Sequence, residues 1–272
     1  ASSSSSPSPS PPPPAAAPRA AREVPATAEG VLSLVEEVVE RGGSVPFLVE
    51  YVEPELASAL TQTLEQLEGG FRAPSAEEEL RAPLLGFWKL LFTTSSSRAA
   101  SGGTGCGKPP ARTVLGSYQT FLSPPEGSET PSLQTVEVVA DGEAGKALLA
   151  AAKGDYYLGT LASSGALGVV EDHTRVEYDG AARFEAQPPP CRWSAAFVGD
   201  TLRVSREENG ALSVYAKTEN GAVQEEIAKL LATPIAVEDE AGGQGVDDRP
   251  MWQKRLDEER RADDDRLESG IP

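Results

Sequence analysis

The chain has 272 residues, enough for one large domain or two small ones, and a formal net charge of −18 with no evident Lys/Arg cluster. That balance argues against a nucleic-acid partner and against simple electrostatic docking on an anionic bilayer. No run reaches the ~18 consecutive apolar residues of a membrane-spanning helix.

Residues 1–24, beginning "ASSSSSPSPSPPPPAAAPRAAR", carry no acid before Glu23 and too few apolar side chains to offset chain entropy, so they are expected to be disordered. Such a leader reads equally as a transit-peptide remnant and as a Pro-rich linker. Residues 25–85 read as a helical N-terminal region. In "AEGVLSLVEEVVERGG", Val31, Leu34, Val35, Val38 and Val39 form one apolar stripe, stopped by Gly42-Gly43. In "EPELASALTQTLEQLEGG", Pro54 suits a first helical turn and Leu56, Leu60, Leu64 and Leu67 share a face. Ser75 with Glu78 three residues on reads as the capping box of a third, shorter helix.

At Gly86 the period changes to two. Short runs such as "FWKLLFTT", "TVLGSYQTFL", "LQTVEVVA", "DYYLGTLA", "HTRVEY", "WSAAFV", "TLRVS" and "ALSVYAK" are bounded by turn signals, among them Asp179-Gly180 and Asn209-Gly210. Many short strands without helices between them predict a mainly β antiparallel barrel or sandwich over residues 86–219. Residues 220–272 follow as the helix "AVQEEIAKLLA", an acidic linker, and a charged tail or helix whose few apolar points are Met251, Trp252 and Leu256.

Catalytic signatures are thin. "SGGTGCGKPP" places Gly102 and Gly107-Lys108 at the spacing of a phosphate-binding loop. Pro109 stands where the magnesium-binding hydroxyl belongs, and no helix pattern follows, so the stretch reads as a permissive loop between strands. His173 is the only histidine and reads as a surface or strand-end residue; no G-x-S-x-G turn accompanies it. The two cysteines, Cys106 and Cys191, are too few for a disulfide framework and not spaced as a metal site, and read as plain thiols. No catalytic residue, cofactor or metal is expected.

The strand faces are more telling. Trp88, Leu90 and Phe92 share one face, as do Leu202, Val204 and Arg206, then Leu212 and Val214, then Val136 and Val138. These residues, with Tyr118 and Phe197, are expected to point inward and line the interior. About eight strands enclose a space that is either filled or holds one small ligand. A cation on an inward face needs a partner, and Arg206 is expected to find it in the Trp88 ring.

"LLGFWKLLFTTSSSR" and "FVGDTLRVSREENGALSVYAK" resemble the two end motifs of the plastid lipid-associated protein family, the plastid fibrillins. Gly86, Trp88, Leu91, Phe92, Thr93 and Thr94 match the first motif. Asp200, Leu202, Arg203, Val204, Arg206, Gly210, Leu212 and Val214 match the second, and "SYQTF" around Gln119 fits more loosely. The resemblance spans residues of about 75–217. It implies a lipocalin-like barrel in a chloroplast, on plastoglobules or thylakoid surfaces or in the stroma. It also implies binding of small hydrophobic molecules of the prenylquinone, carotenoid or fatty-acid type, or coating of lipid surfaces. Gly86-x-Trp88 is similar to the first-strand motif of lipocalins, in which an Arg of the last strand packs over the Trp; carried over, Gly86, Trp88 and Arg206 close the barrel. The alternative is a scaffold whose helices at 28–68, or whose tail around Trp252, recruit a biosynthetic enzyme.

Overall fold

A computed structural model of the chain describes residues 26–42, 54–101, 103–104, 112–124, 126–127, 130–142, 145–178, 181–182 and 190–235. The leader, Cys106, Gly102 and Gly107-Lys108, the Asp179-Gly180 turn and the charged tail lie outside the described residues.

Two amphipathic helices come first. In α1 (Ala28–Gly42) the Gly30 amide donates to Thr27 Oγ1 at 3.1 Å, and Val31, Leu34, Val35 and Val38 are buried. In α2 (Pro54–Gly70) Leu56, Leu60, Leu64 and Leu67 are buried, and the two stripes pack together. The short α3 (Glu77–Leu84) differs from its expected cap. Ser75 donates through its amide and hydroxyl to Glu79, at 2.8 and 3.2 Å, so the reciprocal carboxylate is one residue later than Glu78.

Gly86 adopts φ +116, a left-handed conformation that favours glycine, and so turns the chain from α3 into β1 (Gly86–Thr93). There follow α4 (Ser96–Ser101), β2 (Arg112–Leu122), β3 (Ser132–Asp141), β4 (Lys146–Thr160), β5 (Leu167–Tyr178) and β6 (Ala181–Ala182). The series ends with β7 (Cys191–Val198), β8 (Leu202–Glu207), β9 (Leu212–Thr218) and α5 (Asn220–Leu231). Every pairing is antiparallel, in the order β4-β3-β2-β1-β9-β8-β7-β5, and β4 pairs with β5 to close the ring. The result is a closed eight-stranded lipocalin-like barrel, to which β6 adds only a two-residue pairing on β5. Closure needs a bulge at Lys153/Gly154, where a Cβ on Gly154 would fall 1.9 Å from the Asp172 carbonyl oxygen; only glycine fits that approach.

Contacts between strands that are not neighbours identify the inner face. Phe121 of β2 meets Tyr156 of β4 and Trp193 of β7, with ring centroids 5.1 and 6.4 Å apart, and such contacts are possible only across the lumen. Trp88 and Leu90 belong to this inner cluster, as expected, and Trp88 is fully buried.

The remaining expected lining residues face the other way. Phe92, Leu202, Val204, Leu212 and Val214 pack outside the barrel under α1 and α2, with Phe197 against the same cluster. Tyr118 and Val138 pack outside under Val223 and Ile227 of α5, with Val136 beside them. Two causes are visible. A bulge between Leu90 and Phe92 reverses the parity of β1, and another between Ala195 and Phe197 does the same in β7. Elsewhere the more apolar face of the strand is the one covered by helices, so the helical region and the barrel share one hydrophobic layer.

Truncating that layer should cost as much as truncating the lumen. Leu60→Ala in α2 and Trp88→Ala in β1 are expected to lower the urea unfolding free energy by about 2–5 and about 3–5 kcal/mol respectively. An unchanged midpoint for Leu60→Ala would mean that α2 is not part of the folded unit.

Candidate functional site

The lumen has two unlike halves. Its lower half is aromatic: Trp88, Phe121, Tyr156, Trp193 and Tyr215 are each 0–1% exposed, and Leu80 and Leu84 of α3 close the end beneath them. The Trp88 indole donates to the Leu84 carbonyl at 2.7 Å, which pins the closing helix to the first strand. Lys217 lies 5.1 Å from the Trp88 ring and donates to the Pro83 carbonyl.

Into this aromatic set projects Arg203, with no solvent exposure. Its guanidinium carbon lies 3.8 Å from the Tyr215 ring centroid, 4.9 Å from Trp193, 5.0 Å from Phe121 and 5.3 Å from Trp88. Arg203 and Lys217, rather than Arg206, are therefore the cations beside the closing tryptophan. Arg206 shares its outer face with Leu202 and Val204, and there it ion-pairs with Glu68 of α2, Nε to Oε1 at 2.9 Å. Adjacent residues of a strand point to opposite faces, so an error of face in β8 exchanged the two arginines.

Arg203 Nη2 donates to Gln119 Oε1 at 2.5 Å, and Gln119 Nε2 donates to both oxygens of Glu171 at 3.0 and 3.2 Å. The Trp193 indole donates to Glu171 Oε1 at 2.7 Å. This Arg203–Gln119–Glu171 chain crosses the barrel from β8 through β2 to β5. Burial lowers the Arg203 pKa from its ordinary value to about 10, with Tyr215 and Glu171 opposing that fall, so the group stays charged at neutral pH. Arg203 Nε and Nη1 and the Tyr156 hydroxyl have no hydrogen-bond partner among the described residues. In the sequence Gln119 and Arg203 stand out only as motif matches, and nothing singles out Glu171.

Above the bridge the lining is mixed. Thr135, Glu137, His173, Ser205 and Ser213 are all buried, and beside them Val139, Val176 and Tyr178 form an apolar cluster with Ala150 and Ala152 of β4. The lone histidine, expected near the surface, lies 3% exposed with its Nε2 3.1 Å from Thr135 Oγ1. Thr93 and Ser213 share a hydroxyl contact of 2.8 Å. The upper mouth is crossed by α4 and the residues after it. Arg98 donates to Glu207 at 3.0 Å, to the Tyr215 hydroxyl at 3.0 Å and to Cys191 Sγ at 3.1 Å. Burial pushes the Cys191 thiol up to about 12, against the pull of Arg98, which favours its protonated form at neutral pH. Among the described residues no cluster of His, Cys, Asp and Glu could hold a metal ion.

Comparison with protein-family models, curated proteins and solved structures finds no match for this chain. The barrel's own geometry must carry the functional argument.

Two measurements check this site. Arg203→Met should cost about 3–5 kcal/mol, because it strands a buried carboxylate, whereas Arg206→Met, in a half-buried pair at the solvent edge, should cost only about 1 kcal/mol; equal effects would contradict the assignment. Cys191 gives a pH signature. The unfolded thiol loses its proton near 9.0 and the folded one near 12, so the stabilising contribution is complete below pH 9 and falls as pH rises. One proton corresponds to a loss of about 1.4 kcal/mol per pH unit. Cys191→Ser should flatten the decline between pH 9 and 10; an identical slope would refute a buried thiol.

Proposed function

We propose that this chain is a non-enzymatic plastid lipid-associated protein whose barrel takes up one small hydrophobic molecule carrying a polar head, of the prenylquinone or fatty-acid type. The observation that carries this reading is the buried Arg203 guanidinium, two of whose donor nitrogens have no hydrogen-bond partner among the described residues, inside an aromatic wall. A carbonyl or carboxylate oxygen supplies the acceptor that such donors lack, at a gain of about 1.5–3 kcal/mol for a hydrogen bond to a charged group. Glu171, close by, offers an acceptor to a quinol or phenol hydroxyl. A pure carotenoid hydrocarbon offers neither, and against it the guanidinium stays desolvated and uncompensated. The aromatic rings supply the apolar contact that a prenyl or acyl chain needs.

Localisation in the chloroplast, at plastoglobules, thylakoid surfaces or the stroma, belongs to the same proposal and is supported by the Ser/Pro-rich leader and the two end motifs. Among the described residues no helix is long and apolar enough to cross a membrane. A second reading, a scaffold for a biosynthetic enzyme, has one observation in its favour. Both α1 and α2 place their apolar stripes on the barrel and leave Glu29, Glu36, Glu40, Glu55 and Glu65 exposed, a surface suited to a basic partner.

Titrating the full chain with a short-chain plastoquinone analogue, a C18 fatty acid and β-carotene separates these readings. Calorimetry should show saturable one-site binding of the quinone or the fatty acid, at least tenfold tighter than β-carotene. Arg203→Lys, which keeps charge but loses the planar fork, should weaken that binding about tenfold, equivalent to about 1.4 kcal/mol. No saturable binding, or equal binding of the hydrocarbon, would remove the carrier reading and leave the scaffold.

A further inference from the structure

The upper mouth of the barrel is crossed by a short stretch of chain held at two opposite walls. On one side Arg98 reaches Glu207 of β8, Tyr215 of β9 and Cys191 of β7. On the other, the Gly103 amide donates to Glu137 Oε1 at 2.6 Å and the Thr104 amide to Oε2 at 3.1 Å, while the Thr104 hydroxyl also bonds Oε2. Ser117 Oγ of β2 donates to the same carboxylate at 3.0 Å. Four donors converge on Glu137, and three of them come from the crossing chain rather than the barrel wall. β3, which bears Glu137, stands four strands from β8 in a ring of eight, so the crossing chain is tied to opposite walls, whose side chains approach each other beside Gly103.

The anchors differ in kind from the aromatic floor. At the lower end α3 contributes Leu80 and Leu84 to the main inner cluster, a contact of apolar area that cannot be released without exposing it. At the upper end the contact is mostly polar. Gly103 fits between Arg98 and Thr135, where an added Cβ would stand 3.4 Å from each, and among the described residues of the crossing chain only Ala99 packs on an apolar cluster. Polar groups that leave this contact can be met by water, so release there is far less costly than release of α3.

We infer that Ser95–Ser101 together with Gly103 and Thr104 is a lid on the barrel, latched by Glu137, and that the lumen is loaded and emptied through this end. The inference rests on the lumen being the binding site, but its test needs no ligand. The lid swings from the end of β1, where the Ser95 amide donates to Thr93 Oγ1 at 3.1 Å and so holds the hinge to the wall. Glu137 positions the lid and is not expected to touch the ligand. The amides of Gly103 and Thr104 are occupied by a carboxylate of the chain itself.

Opening can be read with a reporter cysteine inside the barrel. Ala152 is fully buried on β4 and pairs with Thr135. In an Ala152→Cys background, N-ethylmaleimide labelling of that site is followed by peptide mass spectrometry, so that Cys106 and Cys191 do not interfere. Thr104→Ala removes one latch bond without touching the wall, and Glu137→Gln replaces the carboxylate. Labelling at position 152 should rise about threefold or more in the first and tenfold or more in the second. Amide exchange in the β3–β4 ladder should stay as in the parent, since the opening is local. Unchanged labelling in both variants, or a rise matched by the ladder's exchange, would overturn the lid. Failure of ligand binding with faster labelling would instead count against the carrier reading and leave the lid standing.

Discussion

The organisation of this barrel turns on one guanidinium removed from water. Arg203 is held by the π faces of four rings, by one hydrogen bond to Gln119 and, through that amide, by the charge of Glu171. Each contributing strand is thereby fixed against the others. A one-residue slip of β8 would bring Leu202 or Val204 into the lumen and put Arg203 against the apolar stripes of α1 and α2. A buried charge of this kind does not by itself make a fold more stable than a well-packed apolar core would be. What it adds here is registry among β8, β2 and β5, together with a fixed polar level within an otherwise aromatic floor.

That level divides the molecule. Below it, aromatic side chains and α3 form a permanent closure. Above it, hydroxyls, Glu137 and His173, with an apolar cluster of Val139, Val176 and Tyr178 on the alanines of β4, line a region crossed by a chain segment whose grip is mostly polar. The outer face is a third environment, where the strands give their Val and Leu residues to helices on both sides: α1 and α2 over β8 and β9, α5 over β2 and β3. The helices are thus not an appendage. They complete a layer that the barrel alone would leave exposed to water.

Much of this was legible in the sequence. The helical stripes, the change of period at Gly86, the series of antiparallel strands and the apolar face of Trp88 follow from local pattern, because each depends on residues close together in the chain; the choice of a barrel over a sandwich came from the resemblance of the two end motifs. The direction of the lumen was not legible. Alternation shows that two faces differ, but it does not say which one is enclosed. Ser205, Ser213, Gln119 and Glu171 read as solvent-facing by the ordinary rule for half-buried strands, and here they face inward because helices cover the other side. The unpartnered stripes of Val31–Val38 and Leu56–Leu67 were the available signal, since two amphipathic helices require an apolar surface to cover. Bulges at Leu90/Phe92 and Ala195/Phe197 left no trace in composition. The alanine run in β4 also escaped notice, because Ala150–Ala152 has no intrinsic preference for strand and is held there by pairing on both sides.

The cross-barrel charge relation is open to direct measurement by a double-mutant cycle. Arg203→Met, Glu171→Gln and the double variant would be compared by urea unfolding at neutral pH. If the two groups are coupled through Gln119, the double variant should recover about 1–3 kcal/mol relative to the sum of the single losses. Losses that add within about 0.5 kcal/mol would show that Arg203 and Glu171 are independent buried charges, and the bridge would not be what organises the barrel.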